Sequence, residues 1–214
     1  QIHLGTIHGK KYLKKITAKT NALNPDVVFI TGDLFDGSAP VDTAMLSPIN
    51  DIKAPVWFIL GNHELYEGIS AVNKALEGIN LRLLRNETEI WKGIQIVGVD
   101  HPSNEREKGI PALEKITLDK SLPTILLYHP PSGFDDALAA GIDLQLSGHS
   151  HWGQIFPFSL LVKIAYPKGF GLQQHGSLQI YTSPGTGTWG PPMRLGSRSE
   201  ITVIRLAPEK SNGN

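Results

Sequence analysis

Short apolar runs recur along the chain, and four of them stop on polar residues of a particular kind. Residues 27–31 run into Gly32-Asp33, 56–60 into Gly61-Asn62-His63-Glu64, 124–128 into His129, and 143–147 into Gly148-His149-Ser150-His151. Runs of this length, bounded by glycine and polar residues, predict buried strands. Between them the apolar positions fall at helical spacing: 10–23, stopped by Asn24-Pro25; 40–52, with Pro48 as its weak point; 69–76, with Gly78 beyond it; and 134–140. Residues 81–84, 88–91 and 94–99 are short β-prone runs separated by Asn86-Glu87 and Lys92-Gly93, the pattern of antiparallel strands. A short helix is expected over 111–116, an exposed charged loop over 103–109, and closing strands over 178–182 and 201–206.

Two stretches resist assignment by period. Residues 152–170 are aromatic and contain proline, and within them 152–166 read either as a surface packed on a sheet or as an apolar patch facing a substrate or a membrane. Residues 183–192 form a glycine- and proline-rich loop, and the polar tail from 208 is expected to fray. Strands and helices alternate in the first half, and the second half is richer in β. The expected class is therefore α/β, a mixed two-sheet sandwich flanked by helices, formed as one domain over residues 1–214.

Composition narrows the chemistry. Twenty basic residues balance twenty acidic ones, so no net field favours nucleic acid. With no cysteine, a metal can use only imidazole, carboxylate, amide and water. No run approaches the roughly 20 apolar residues of a membrane-spanning helix. The chain opens on Gln1 rather than Met, as expected of a fragment or a processed form. Lys10-Lys11 and Lys14-Lys15 read as a solvated helix face, with a membrane-surface contact as the sharper alternative.

Each polar tip alone also reads as ordinary structure. Gly32-Asp33 suits a turn or helix cap, His129 before Pro130-Pro131 a turn, and the paired histidines a polar loop. Together they imply more, because the strand tips of one α/β molecule converge. Imidazole, carboxylate and amide oxygen suit manganese, iron or zinc, and two such ions roughly 3.5–4 Å apart can hold a phosphoryl group. Asp33 is the candidate to bridge them. His149 and His151, two apart, would face one side if they lay in a strand and so reach one ion each. Glu64 is read as a cap or an outer support, and His8, His101 and His175 as surface or turn residues, His101 having the rim of the site as its alternative.

In order, Gly32-Asp33, Gly61-Asn62-His63-Glu64, His129 and Gly148-His149-Ser150-His151 resemble the signature of the calcineurin-like metallophosphoesterases. The likeness spans nearly the whole chain, and Ser183-Pro184-Gly185-Thr186-Gly187 with Trp189-Gly190-Pro191-Pro192 and Arg194 resembles the membrane-linked branch. The resemblance implies hydrolysis of a phosphate mono- or diester through two divalent ions and a metal-bound hydroxide. It assigns His3, Asp33 and His151 to the first ion and Asp33, Asn62, His129 and His149 to the second. His63 would bind no metal but face the phosphate, protonating the leaving oxygen or steadying its charge. The implied partner is a small phosphorylated substrate, with a phospholipid or nucleotide headgroup suiting the branch and a membrane tether upstream of this chain.

One block departs from the signature. An aspartate is expected two residues before His3, and Gln1 stands there. The preferred reading is that residues are absent, either before Gln1 or between Ile2 and His3. The alternative is a true replacement, with a weakened first site and a non-catalytic scaffold as the function.

Overall fold

The structure, a computed structural model, describes residues 1–103 and 109–207. Three parallel strands, β1 (Val28–Thr31), β2 (Val56–Ile59) and β3 (Arg82–Leu83), form the smaller sheet in the order β1-β2-β3. The larger sheet contains β4 (Glu87–Trp91), β5 (Ile94–Val99), β6 (Thr124–Tyr128), β7 (Leu144–Ser147), β8 (Gly171–His175) and β9 (Leu178–Thr182), in the order β4-β5-β6-β7-β9-β8. Its middle is parallel and its two edge pairs are antiparallel hairpins.

Period-two alternation builds the layers. In β2, Trp57 and Ile59 pack on Ile96, Ile125, Leu127 and Leu146 of the large sheet, while Val56 and Phe58 turn to a core shared with helix α1 (Lys10–Ala22). The outer face of the large sheet buries Val97, Leu126, Tyr128 and Ile180 against α5 (Phe134–Ala140). This is the mixed α/β sandwich flanked by helices.

Several local expectations are corrected. The chain over 40–52 splits into α2 (Thr43–Leu46), capped by the Asp42 carboxylate on the Met45 N–H at 2.8 Å, and a 3-10 helix Ser47–Asp51 that takes Pro48 into its first turn. Of the three runs read as antiparallel, β3 joins the other sheet and pairs parallel with β2, because the chain crosses between sheets just before Asn86. A two-residue strand carries no alternation that could reveal its partner. Residues 201–206 form no strand, although they alternate; they and β1 line a cavity of about 770 Å³. Residues 158–165, unassigned by period, form helix α6 (Phe158–Ala165). Edge strand β8 was invisible because Gly-Leu-Gln-Gln-His has no buried face. Residues 104–108 of the expected charged loop, and the tail from 208, lie outside the described residues.

Candidate metal centre

The four polar tips meet at one end of the sandwich. Asp33 follows β1, Asn62 and His63 open helix α3 (Asn62–Glu67) after β2, His129 follows β6, and His149 and His151 follow β7. His3 joins them through its N–H, which donates to the Asp33 carbonyl at 3.0 Å. All seven residues named from the sequence come together, but the histidine pair is not in a strand. β7 ends at Ser147, and His149 and His151 have φ of 67° and 47°. His3 and Asp33 share that left-handed backbone, at 56° and 54°. Such conformations cost non-glycine residues on the order of 1–3 kcal/mol each and concentrate at functional sites.

Two glycines make the approach possible. Gly32, at φ 84°, lies so close to His129 that a Cβ would strike the Nδ1 atom. Gly61 has an extended φ and is needed for space, since a Cβ there would strike the Asp33 carboxylate and lie 2.9 Å from the His129 ring.

Around His129 the geometry is dense. Its Nδ1–H donates to the Thr31 carbonyl at 2.7 Å, which turns Nε2 inward. That Nε2 lies 3.1 Å from Asp33 Oδ2, 3.1 Å from Asn62 Oδ1 and 3.2 Å from His149 Nδ1. His149 Nδ1 is also 3.1 Å from Asn62 Oδ1. Nitrogen and oxygen atoms of four side chains thus crowd one point, as a hard or borderline divalent cation requires. Burial works against a charge on His129, but the Asp33 carboxylate outweighs it and raises the pKa. Burial likewise favours a neutral Asp33, yet His129, His3 and His63 hold its carboxyl well below the ordinary range. Burial lowers His149 to about 3, leaving a neutral imidazole fit to ligate.

On the other side, His3 Nε2 lies 2.8 Å from His151 Nε2 and 3.6 Å from Asp33 Oδ2. Burial lowers His3 to about 3 and depresses His151 as well. His3 Nδ1 is buried without a hydrogen-bond partner, with Asp36 Oδ1 at 3.7 Å. Two neutral imidazoles and a carboxylate fit an ion here too. His63 also lies within ligand reach of His3 and Asp36, and its Nδ1–H donates to the Asp36 carbonyl at 2.6 Å. Gln1 packs its buried carboxamide against Gly148 and Gly185, with Nε2 and Oε1 both unpaired.

Some participants were not legible. Asp36, three residues after Asp33, carried no signal beyond its acidity. Glu64, read as a cap or an outer support, is both: fully buried, it accepts N–H bonds from Gly61 at 2.6 Å, Asp33 at 2.9 Å and Phe35 at 3.0 Å, so one carboxylate fixes two ligand-bearing turns. Burial and the nearby Asp33 charge raise its pKa against those three N–H groups. Arg194 donates to the carbonyls of Pro184, Gly187 and His151 at 2.6, 2.7 and 3.2 Å, tying the glycine-rich loop to the site. His101 is buried rather than on the surface, its ring 5.6 Å from that of His129. His175 stays away, paired with Asp135 at 2.6 Å, and His8 bonds Thr188.

Clustered histidines, carboxylates and an asparagine at the strand tips of the sandwich form a candidate metal site. The profile of the calcineurin-like phosphoesterases matches residues 2–153, and the chain belongs to that family. A metallophosphoesterase of Helicobacter pylori is 39% identical over 97% of the chain, and a Bos taurus transmembrane protein with a metallophosphoesterase domain is 36% identical over 97%. The chain spans 58% and 52% of those two proteins. The NAD nucleotidase of Haemophilus influenzae aligns over 65% of this chain and 36% of its own, at 18% identity and a TM-score of 0.44. Among the described residues no helix is long and apolar enough to cross a membrane.

Proposed function

We propose that the chain hydrolyses a phosphoric mono- or diester at a binuclear centre. His3, Asp33 and His151 would hold one divalent ion, and Asp33, Asn62, His129 and His149 the other. The observation that carries this reading is Asp33, whose Oδ2 belongs to both groups of ligand atoms. Manganese, iron and zinc suit the nitrogen and oxygen donors. Ions bound there supply positive charge to the phosphoryl oxygens and acidify water.

Water would add to phosphorus in line and release a proton to solvent, the ester P–O bond would break, and the leaving oxygen would take up a proton. His63 would deliver it. Its Nδ1–H is engaged by the Asp36 carbonyl, so in the protonated ring Nε2–H is the proton free to go. Glu64 and Arg194 position ligands and touch no reacting atom.

The test is elemental analysis of the full chain together with turnover of a chromogenic phosphodiester. Roughly two ions per chain are expected, with His63→Ala losing turnover by about 10²–10⁴-fold while keeping its metal. A fully loaded protein inert toward mono- and diesters alike would sink the proposal. The second reading, a scaffold with a weakened first site, draws on Gln1 and predicts one ion or none.

A further inference from the structure

Residues 144–199 contain Lys163, Lys168, Arg194 and Arg198 and not one Asp or Glu. Because the whole chain is charge-balanced, the negative charge lies elsewhere. Lys163 and Arg198 are exposed, whereas Lys168 and Arg194 are engaged in hydrogen bonds.

The same segment leaves a broad apolar surface open. Helix α6 buries only Val162, while Phe158, Leu161 and Ile164 are 52%, 61% and 77% exposed. The surface continues beyond the helix. The Phe156 N–H donates to the Leu195 carbonyl at 2.8 Å, which sets exposed Leu195 beside the start of α6. Gln154 Nε2 donates to the Trp189 carbonyl at 2.8 Å and keeps a further exposed aromatic nearby. Single exposed leucines are ordinary, but several exposed apolar side chains on one helix and on the loops hydrogen-bonded beside it mark an interaction site.

The geometry points to this face as a docking surface for an anionic phospholipid bilayer. Apolar side chains on a helix lying along the surface enter the acyl boundary, and lysine and arginine stay with the phosphates. A second copy of the chain is a poorer occupant. Pairing this face with itself would bring Lys163 and Arg198 of both copies together with no carboxylate from the segment to offset them.

The face adjoins the metal centre. α6 is followed by Tyr166, whose hydroxyl lies 3.1 Å from His149 Nε2, and the Ser150 hydroxyl donates to the Gly169 carbonyl at 2.6 Å. A bilayer docked here sets the centre beside the headgroup layer, so the substrate class it reaches is a phosphoric ester carried on a lipid. That substrate assignment rests on the phosphoesterase reading, and the docking does not.

The experiment is flotation of the full chain with vesicles of phosphatidylcholine alone and of phosphatidylcholine with phosphatidylglycerol. The chain should float with the anionic vesicles. Leu161→Ser with Ile164→Ser, both exposed and so safe for folding, should lower the bound fraction about tenfold and leave turnover of a soluble phosphodiester unchanged. Absence of flotation, or equal flotation of the double variant, overturns docking. So does a dimer seen by light scattering that the double variant abolishes while vesicle binding is nil, which would give the face to a second copy. Flotation failing with soluble turnover intact removes docking alone. Flotation with no turnover of any ester removes the lipid substrate and keeps the docking.

Discussion

The two flanks of Asp33 are built differently. On the His129 flank every side chain hangs from the end of a strand or the helix just after it, and each is held: His129 by Thr31, Asn62 by Tyr66 at 3.3 Å, His149 by Tyr166. On the His3 flank the backbone is tied by the isolated bridges of Leu4 with His8 and Phe35, and His3 Nδ1 is unpaired. Its Nε2 faces another imidazole nitrogen at 2.8 Å. The first flank is pre-organised by the sheets, whereas on the second only His151 is held from outside, by Arg194 at its carbonyl and Nδ1 at 3.2 and 3.4 Å, and the His3 ring is left to orient itself. Ligands fixed by outside hydrogen bonds bind metal more tightly than ligands left to orient themselves.

Removing the atom both flanks share should have the largest effect. Asp33→Asn should empty both positions and cut phosphodiester turnover by at least about 10³-fold, read by elemental analysis and kinetics on one preparation. Next, the flanks should separate. After dialysis His3→Ala should keep roughly one ion per chain, whereas His129→Ala should lose more metal and more thermal stability, since it also breaks the bond to Thr31. Equal losses from the two variants would break the comparison. Glu64→Gln should lower metal affinity by about 10–100-fold on both flanks, because an amide NH₂ then faces N–H groups that need an acceptor.

A smaller effect comes from pH in the metal-free protein. His3 and His149 sit at about 3 in the folded chain against about 6.5 unfolded, and His151 is lowered too. The unfolded chain therefore binds more protons, and stability present above about 6.5 is lost as pH falls toward 3. His129, raised by Asp33, pulls the other way. With three lowered histidines against His129 and Glu64, whose pKa values are raised, the melting temperature of chelator-treated protein should fall by about 5 °C between pH 7.5 and 5, and metal should flatten the profile.

The strand tips were legible because a buried strand announces itself as an apolar run and its end as the first polar residue. That sufficed to gather Asp33, Asn62, His129, His149 and His151. It misjudged how the histidine pair is presented, since left-handed turns leave no trace in residue type apart from glycine. It placed residues 201–206 in a sheet because alternation shows a face and says nothing of a partner. Asp36 and the three-way grip of Glu64 depend on where side chains go after the chain has turned, and no spacing rule reports that.

The cavity beside β1 has a dynamic consequence. Among the described residues β6 is paired on both edges, whereas β1 is paired only with β2. Amides of β1 that point away from β2 should trade their protons for deuterium sooner than those of β6, by hydrogen-exchange mass spectrometry. Asp33 lies two residues beyond the end of β1. Breathing of that edge strand would therefore be felt at the carboxylate the two flanks share, and exchange at β1 should slow when metal is added.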